Sequence, residues 1–274
     1  MVVHVRKYSG EVEAFSPGKL RRSLARAGAT SEVADRVIAA VEKKLYEGIS
    51  TKEIYRLAMR LLKKVDFPLA AKYDLKRGLM RLGPAGYAFE KYVAHILAHH
   101  GFSVETNKTV KGTCVEHEVD VVAEKKGEVY LVECKHHEKP WSMCRIQTAL
   151  YVKARFDDVR HVFSKVLLVT NTKFSLQAIA YAKCAGVELL GWRYPPRASL
   201  EALIDKKQLW PISILSTLGR KEVSACIDEG LLLLRDVRLL GVDELKKRLK
   251  ISKGLARKML HEVSEILQSS EHTS

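Results

Sequence analysis

Two carboxylates and a lysine stand in short runs of β-branched residues, where charge is not expected. Asp120 lies in the run VDVVA (119–123), and Glu133 and Lys135 lie in the run VYLVECK (129–135). Neighbouring carboxylates repel each other, and a hard divalent cation such as Mg²⁺ or Mn²⁺ relieves the repulsion while keeping positions for water and phosphate. A nearby lysine can hold a phosphate oxygen or activate a water. We therefore predict a site for phosphodiester hydrolysis, with Asp120 and Glu133 as metal ligands and Lys135 activating water.

A β-hairpin over residues 117–135 would bring these charges together. With residues 124–127 as its loop, Asp120 lies opposite Leu131 and Glu133 becomes its diagonal neighbour, within reach of a shared ion. The other face of the hairpin is expected to be core, because it carries Val121, Tyr130, Val132 and Cys134.

A third carboxylate, Glu90, lies on the predicted helix YAFEKYVAHILAHH. It shares a stripe with Val93 and Leu97, so it borders the buried face and could reach a metal-bound water. The alternative for the whole pattern is an ordinary solvated pair of charges across two strands, which is how most Glu-x-Lys tripeptides on strands behave.

The net charge of +15 favours a polyanionic partner such as DNA or a nucleotide. Residues 1–83 contribute +9, residues 84–198 contribute +4 and residues 199–274 contribute +2. No apolar run approaches the roughly 20 residues of a membrane helix, and the N-terminus lacks the apolar stretch of a secretory signal. We expect a cytoplasmic protein with no membrane contact. Five cysteines without CxxC spacing predict neither a disulfide framework nor a zinc site.

Helical and strand patterns predict three domains, at 1–83, 84–198 and 199–274. The first begins with a hairpin around Ser9-Gly10, followed by four helices with cap signals at Ser16-Pro17 and at Ser50 with Glu53. The second alternates strands and helices, which predicts an α/β core with a mixed sheet. The third is expected to be a small all-α tail.

The middle segment resembles the PD-(D/E)xK nuclease superfamily, and within it the Mrr-like type IV restriction endonucleases. The residues that carry the resemblance are GYAFEKYVAHILAHHGF, EVDVVAEKKGEVYLVECK, IQTALY and LLVTNTKFSLQAIAYAKCAGVELLGW. The resemblance implies a restriction-endonuclease-like fold, a Mg²⁺ or Mn²⁺ cofactor and DNA as substrate. It implies metal binding by Asp120 and Glu133, catalysis by Lys135, and support from Glu90 and from Gln147 at the Q-x-x-x-Y position.

The first 83 residues resemble an ATP-cone, a nucleotide-sensing module. The residues that carry this resemblance are VRKYSGEVEAFSPGKLRRSLARAG, GISTKEIYRLAMRLL and FPLAAKYDLKRGL. It implies that ATP or dATP binds as a regulatory ligand near Val5, Lys7, Tyr8 and Lys19. The family typically has Arg and Asp where this chain has Tyr8 and Ser9. Physically, Lys7 and Lys19 could meet a triphosphate, because phosphate oxygens favour cationic partners; the alternative is a solvated basic face.

The sequence pattern of the tail, residues 199–274, predicts a turn at 251–254 between two helices. Backbone N–H groups at Lys253-Gly254 could meet a DNA phosphate, faintly like a helix-hairpin-helix, although a plain packing or dimer element explains the pattern equally well.

These patterns together predict a Mg²⁺-dependent endodeoxyribonuclease regulated by ATP or dATP. The alternatives are a non-catalytic, nucleotide-responsive DNA-binding regulator and a nuclease like the Holliday-junction resolvases, which share this core. A homodimer is expected if both DNA strands are cut.

Overall fold

The structure is a computed structural model that describes residues 2–83 and 86–271, with side chains as far as Gln268. Pro84, expected at the first domain boundary, and Ala85, expected to begin the next helix, lie outside the described residues. No helix in the described part of the chain is long and apolar enough to cross a bilayer.

Helices and strands follow the predicted order along the chain. The N-terminal elements are β1 (His4–Arg6), β2 (Val12–Ala14), α1 (Pro17–Arg26), α2 (Ser31–Glu42), β3 (Ile49–Ser50), α3 (Thr51–Val65), α4 (Phe67–Tyr73) and α5 (Leu75–Met80). The middle elements are α6 (Tyr87–His99), β4 (Ser103–Lys111), β5 (Glu116–Lys125), β6 (Glu128–Lys135), β7 (Met143–Cys144), α7 (Ile146–Asp158), β8 (Lys165–Thr170), β9 (Lys173–Phe174), α8 (Leu176–Ala185) and β10 (Glu188–Leu190). The C-terminal elements are α9 (Leu200–Lys207), a 3₁₀ turn (Ile212–Ile214), α10 (Arg220–Asp228), α11 (Leu234–Arg238), α12 (Val242–Leu249) and α13 (Lys253–Glu271).

The chain forms two compact units. The first comprises Met1–Leu75, Ile214–Leu218 and Val237–Ser274, and the second comprises Lys76–Ser213 and Gly219–Asp236. Both units thus include pieces of the helical segment that begins at residue 199, and the domain boundaries at 83 and 198 stay predictions.

The first unit is mainly helical around a small sheet. Its strand order is β2-β1-β3, with β1 antiparallel to β2 and parallel to β3. The predicted hairpin at Ser9-Gly10 is confirmed, and so is the capping box, in which Ser50 Oγ accepts from Glu53 N at 3.1 Å while Ser50 N donates to Glu53 at 3.2 Å. The core is made of apolar residues from these elements, including Leu24, Val37, Val41, Ile49, Ala58 and Leu62.

The predicted fourth helix of this segment is broken in two. The helix that begins at Phe67 ends at Tyr73, and a new helix begins at Leu75. Between them, the Asp74 carboxylate accepts a hydrogen bond from the Tyr55 hydroxyl, whose ring stacks on Tyr73 at a centroid distance of 5.3 Å. The helical periodicity continues across this point, so the sequence alone did not reveal the break.

The second unit is an α/β layer structure around a five-stranded sheet of order β10-β8-β6-β5-β4. Strands β10, β8 and β6 are parallel, and β6, β5 and β4 are antiparallel, so the sheet is mixed as predicted. Helices α7 and α8 bury apolar side chains against one face, whereas α6 contacts β4, β5 and β6. This arrangement leaves the carboxyl end of β6 next to that of β8.

The pairing of β5 with β6 differs from the predicted register by two positions. Ala123 pairs with Tyr130 and Val121 pairs with Val132, so the connecting loop is only Lys126-Gly127. Both loop residues have positive φ, 54° and 78°, which defines the two-residue type I′ turn that suits the twist of a hairpin. A shift of two preserves the faces of both strands, because side chains alternate with period 2.

This turn provides a test of the register. Gly127→Ala should lower the free energy of unfolding by about 1–2 kcal/mol, because an L-residue is strained in the left-handed region. Its added Cβ would meet no atom within 4 Å, so the loss is expected from the backbone alone. Equilibrium urea unfolding measures the change.

The matched control is Gly18→Ala, in helix α1 and without a positive φ. There the same substitution should stabilise the protein by about 0.5–1 kcal/mol, because alanine is the better helix former. Equal effects at the two positions would contradict the turn geometry.

Candidate active site

The predicted metal ligands lie just beyond the paired part of the hairpin β5–β6. The last pair is Val121 with Val132, and Asp120 and Glu133 are the next residues on the two strands, so the observed register differs from the predicted diagonal relation. Asp120 Oδ2 accepts from the backbone N–H of Cys134 at 2.7 Å. Lys135 ends β6 and is exposed, whereas Asp120 and Glu133 are half-buried. The three side chains therefore share one face at the end of the hairpin.

Three carboxylates in this region are electrostatically coupled. Burial, followed by the Asp120 charge, raises the pKa of Glu133 to about 7. Burial, followed by the charges of Asp120 and Glu118, raises the pKa of Glu90 to about 7. Burial also raises the pKa of Asp120, although its hydrogen bond from Cys134 opposes the shift. The charge of Asp120 therefore acts on Glu90, and the role of Glu90 in the site stays a prediction.

A buried arginine that the sequence reasoning missed supplies one positive charge. Arg155, on α7, donates from one Nη to Glu133 Oε2 and from the other to the backbone carbonyl of Glu118. Its side chain is 9% exposed, and its Nε has no partner in the described part of the chain. Arg155 stands four residues after Tyr151 and eight residues after Gln147, so the three residues share one stripe of the helix. This spacing was the sequence signal that could have linked Arg155 to the site.

Gln147 lies in the first turn of α7 and is exposed, as is Tyr151 one turn later. The guanidinium of Arg155 lies 5.5 Å from the centroid of the Tyr151 ring. The predicted helper residue therefore shares a helix stripe with the arginine that contacts Glu133.

The main chain that carries Lys135 is held by the end of β8. Thr170 Oγ1 donates to the Lys135 carbonyl at 2.7 Å. Asn171 accepts from His137 N at 2.9 Å and donates to His137 O at 2.8 Å. Thr170 and Asn171 are fully buried, so these hydrogen bonds fix where β6 ends. The sequence reasoning missed both residues, because their role depends on the pairing of β6 with β8.

His136, the residue after Lys135, lies inside the second unit. Its Nε2 is 3.0 Å from the Leu79 carbonyl and its ring packs against Phe89 at 5.4 Å. His137 is held through its main chain, and its buried Nε2 has no partner among the described residues.

The donor set fits a hard divalent cation in charge and in atom type. Asp120 and Glu133 supply carboxylate oxygens, and the charge of Asp120 raises the pKa of Glu133. Within the described residues, no three His, Cys, Asp or Glu side chains converge as a complete metal cage. Mg²⁺ is commonly held by one or two carboxylates together with water and phosphate oxygens, so a site with two carboxylates is compatible with Mg²⁺.

In the first unit, two of the predicted nucleotide-binding lysines meet at one oxygen. Lys7 Nζ and Lys19 Nζ lie 2.8 and 2.7 Å from Glu13 Oε2. The hydrogen bonds from Lys19 and then Lys7 lower the pKa of Glu13. Val5 is buried in the core, and Tyr8 is exposed at the hairpin turn. The Glu13 carboxylate thus occupies the point where these lysines could hold an external anion.

Comparison with known families assigns two segments of the chain. A model described as a restriction endonuclease, Mrr_cat, matches residues 84–192, and a model described as an ATP cone domain matches residues 3–78. The chain carries an Mrr-type restriction endonuclease domain and an ATP cone. The predicted resemblance is therefore confirmed for both domains.

Two similar proteins carry names that assign them no activity. An uncharacterised protein of Archaeoglobus fulgidus is 40% identical over 176 residues, which span 64% of this chain and 99% of the relative. A crystal structure of a protein of unknown function has 38% identity and a TM-score of 0.60, and the match covers 67% of this chain and 98% of that one. The structure of Can2 from Sulfobacillus thermosulfidooxidans with cyclic tetra-adenylate has 13% identity and a TM-score of 0.36, too low to support an argument.

The contact between Arg155 and Glu133 in the nuclease domain can be tested by mutation. Arg155→Met should lower the free energy of unfolding by about 3–5 kcal/mol, because it leaves a buried carboxylate without its counter-ion. Adding Glu133→Gln to the same chain should recover part of that loss. Guanidinium unfolding at neutral pH measures both.

Arg160→Met is the matched control. Arg160 pairs with Asp157 at 2.7 Å but its side chain is 60% exposed, so its loss should change stability by less than about 1 kcal/mol. Similar losses for Arg155→Met and Arg160→Met would contradict a buried ion pair.

Proposed function

We propose that this chain is a metal-dependent DNA endonuclease regulated by ATP or dATP in its ATP cone. The observation that carries the proposal is the shared placement of Asp120, Glu133 and Lys135 at the end of hairpin β5–β6, with Glu90 beside them. Membership of the Mrr-type family supports the reaction class. A homodimer would bring two such sites to one duplex.

Each side chain has a role that follows from its position. Asp120 and Glu133 would hold Mg²⁺ or Mn²⁺, which when bound stabilises charge on the phosphate and lowers the pKa of a water. Lys135 is exposed and can donate to a phosphate oxygen or orient the attacking water. Glu90, with a pKa of about 7, can exchange a proton near neutral pH. Gln147 reaches out from α7 with both a donor and an acceptor.

One observation favours the alternative of a regulator that binds DNA without cutting it. Glu133 is already paired with the buried Arg155, so a metal ion must share or replace this contact. A single oxygen of Glu133 accepts from Arg155, and sharing requires only that the other oxygen face the ion. The two functions differ in whether phosphodiester bonds break, so a cleavage assay separates them.

The first test is nicking of supercoiled plasmid with Mg²⁺ or Mn²⁺ by the full-length protein. Lys135→Ala should reduce the nicking rate by about 100-fold or more, a typical loss when a group that stabilises transition-state charge is removed. Lys183→Ala is the control, because Lys183 is exposed on α8 and should leave the rate unchanged.

Equal nicking by the wild type and Lys135→Ala would remove the catalytic assignment. Metal-dependent DNA binding with no nicking by any variant would favour the regulator. Cleavage confined to branched DNA would favour a resolvase-like activity.

We also propose that the ATP cone binds its triphosphate through Lys7 and Lys19. Lys7→Ala and Lys19→Ala should each weaken ATP or dATP binding by about 10-fold, the loss of one charge-assisted hydrogen bond. Lys43→Ala is the matched control, because Lys43 is exposed beyond the end of α2. Isothermal titration calorimetry measures affinity; no heat with the wild type, or equal affinity in all variants, would rule out this site.

A further inference from the structure

Helices α12 and α13 carry a positively charged face that the nuclease and nucleotide sites leave unused. Residues 242–261 contain seven basic and two acidic residues, a net charge of +5, although residues 199–274 total only +2. The exposed positions on this face include Lys246, Lys247, Lys250, Lys253, Arg257, Lys258 and His261. The charge is therefore concentrated on one local surface, which we call the α12–α13 face.

The two helices are joined by a short, well-defined turn. Helix α12 has 8 residues, α13 has 19, and Lys250 to Ser252 connect them. Lys250 adopts φ 53°, and Ser252 Oγ accepts from Leu255 N at 3.1 Å, which begins α13. A short turn between two helices, the second presenting its first turns outward, is the layout of helix-turn-helix DNA-binding elements.

The apolar side of this pair is already buried. It comprises Leu245, Leu249, Ala256, Met259 and Val263. On the exposed side, Lys253, Arg257 and His261 follow one another at intervals of four residues and span roughly 12 Å of helix. That length is comparable with the width of the DNA major groove, about 12 Å.

Most of these cations are not neutralised by the protein. Lys253 lies 3.3 Å from Asp243, and His261 lies 3.8 Å from Glu265. Across residues 2–83 and 86–268, the side chains of Lys246, Lys247, Lys250, Arg257 and Lys258 enter no ion pair or hydrogen bond. The positive end of the α13 dipole adds to their field.

The composition of the face selects duplex DNA among polyanions. Residues 242–271 contain no Phe, Tyr or Trp, whereas single strands are held by stacking on aromatic side chains. An interfacial membrane helix needs an apolar face to bury in lipid, but the apolar face of α13 is inside the protein. Cations and exposed helix N–H groups match the phosphates of a duplex.

We propose that the α12–α13 face is a second DNA-binding site, which docks duplex DNA through the first two turns of α13. This site is separate from the residues proposed to cut, and it would operate without metal. Through this site the protein would bind DNA independently of the state of the nuclease domain.

Fluorescence anisotropy tests the proposal with full-length Lys135→Ala protein, a random-sequence duplex and EDTA, so that cleavage plays no part. Arg257→Ala/Lys258→Ala should raise the Kd about 10-fold or more, and should reduce the slope of log Kd against log salt by about 2, since each lost phosphate contact removes about 0.9. Lys246→Ala/Lys247→Ala offers an independent pair on the same face, with the same direction expected.

The control is Lys43→Ala/Lys44→Ala, which removes the same charge from exposed positions at the end of α2. It should change the Kd by no more than about twofold. A loss of affinity confined to the α12–α13 variants would therefore be due to this face and not to the net charge of the protein. Equal losses in all three double variants, no loss, or no duplex binding by the parent would overturn the proposal. The proposal would also be overturned if the α12–α13 variants lost binding to anionic phospholipid vesicles while their binding to duplex DNA stayed unchanged. Plasmid nicking is measured separately with the protein that retains Lys135. The proposal of DNA cleavage and the proposal of a second DNA-binding site can therefore fail independently.

Discussion

Burial of the ionisable groups of Glu90, Asp120 and Glu133, with the added effect of neighbouring negative charge, is the constraint that the nuclease domain must accommodate. The hairpin β5–β6 and helix α6 bring these carboxylates together, and burial makes each ionised form more costly. The chain contributes one fixed counter-charge, Arg155, which is held by Glu133 and by the Glu118 carbonyl. Lys135 adds a second positive charge that acts on Asp120 and Glu133, and the pKa of about 7 means that Glu90 and Glu133 are partly protonated at neutral pH.

The ATP cone also gathers charged side chains at one point. Lys7 and Lys19 approach a single oxygen of Glu13, and Lys7 also lies 3.1 Å from Glu11 Oε2, so two carboxylates meet two ammonium groups. In both domains the backbone brings charged side chains together, and the chain itself supplies opposite charge, from Arg155 in one domain and from Glu11 and Glu13 in the other.

Features with local causes could be predicted from the sequence. The capping box at Ser50 and Glu53, the N-cap at Ser16 and the bounds of β6 follow from neighbouring residues, and the structure contains all of them. The faces of β5 and β6 were also predictable, because they depend only on alternation. The register was not, since it required knowing that Lys126 accepts a left-handed conformation in a two-residue turn.

Contacts between distant segments lay beyond the sequence. Arg155 reads as an ordinary basic residue on an amphipathic helix, and only the packing of α7 on the sheet reveals Glu133 as its partner. The break at Asp74 likewise depends on Tyr55, 19 residues earlier. Asn171 illustrates the point best, because a lone asparagine after a strand is typical of any loop.

Asn171 also has a consequence for the shape of the sheet. Its amide offers His137 both the acceptor and the donor that a neighbouring backbone would supply. Beyond the last paired residue of β6, the hydrogen bonds that a neighbouring strand would make are thus made by the Asn171 side chain. This side-chain pairing extends the hydrogen-bonding pattern two residues past Lys135, which stays exposed at the end of β6.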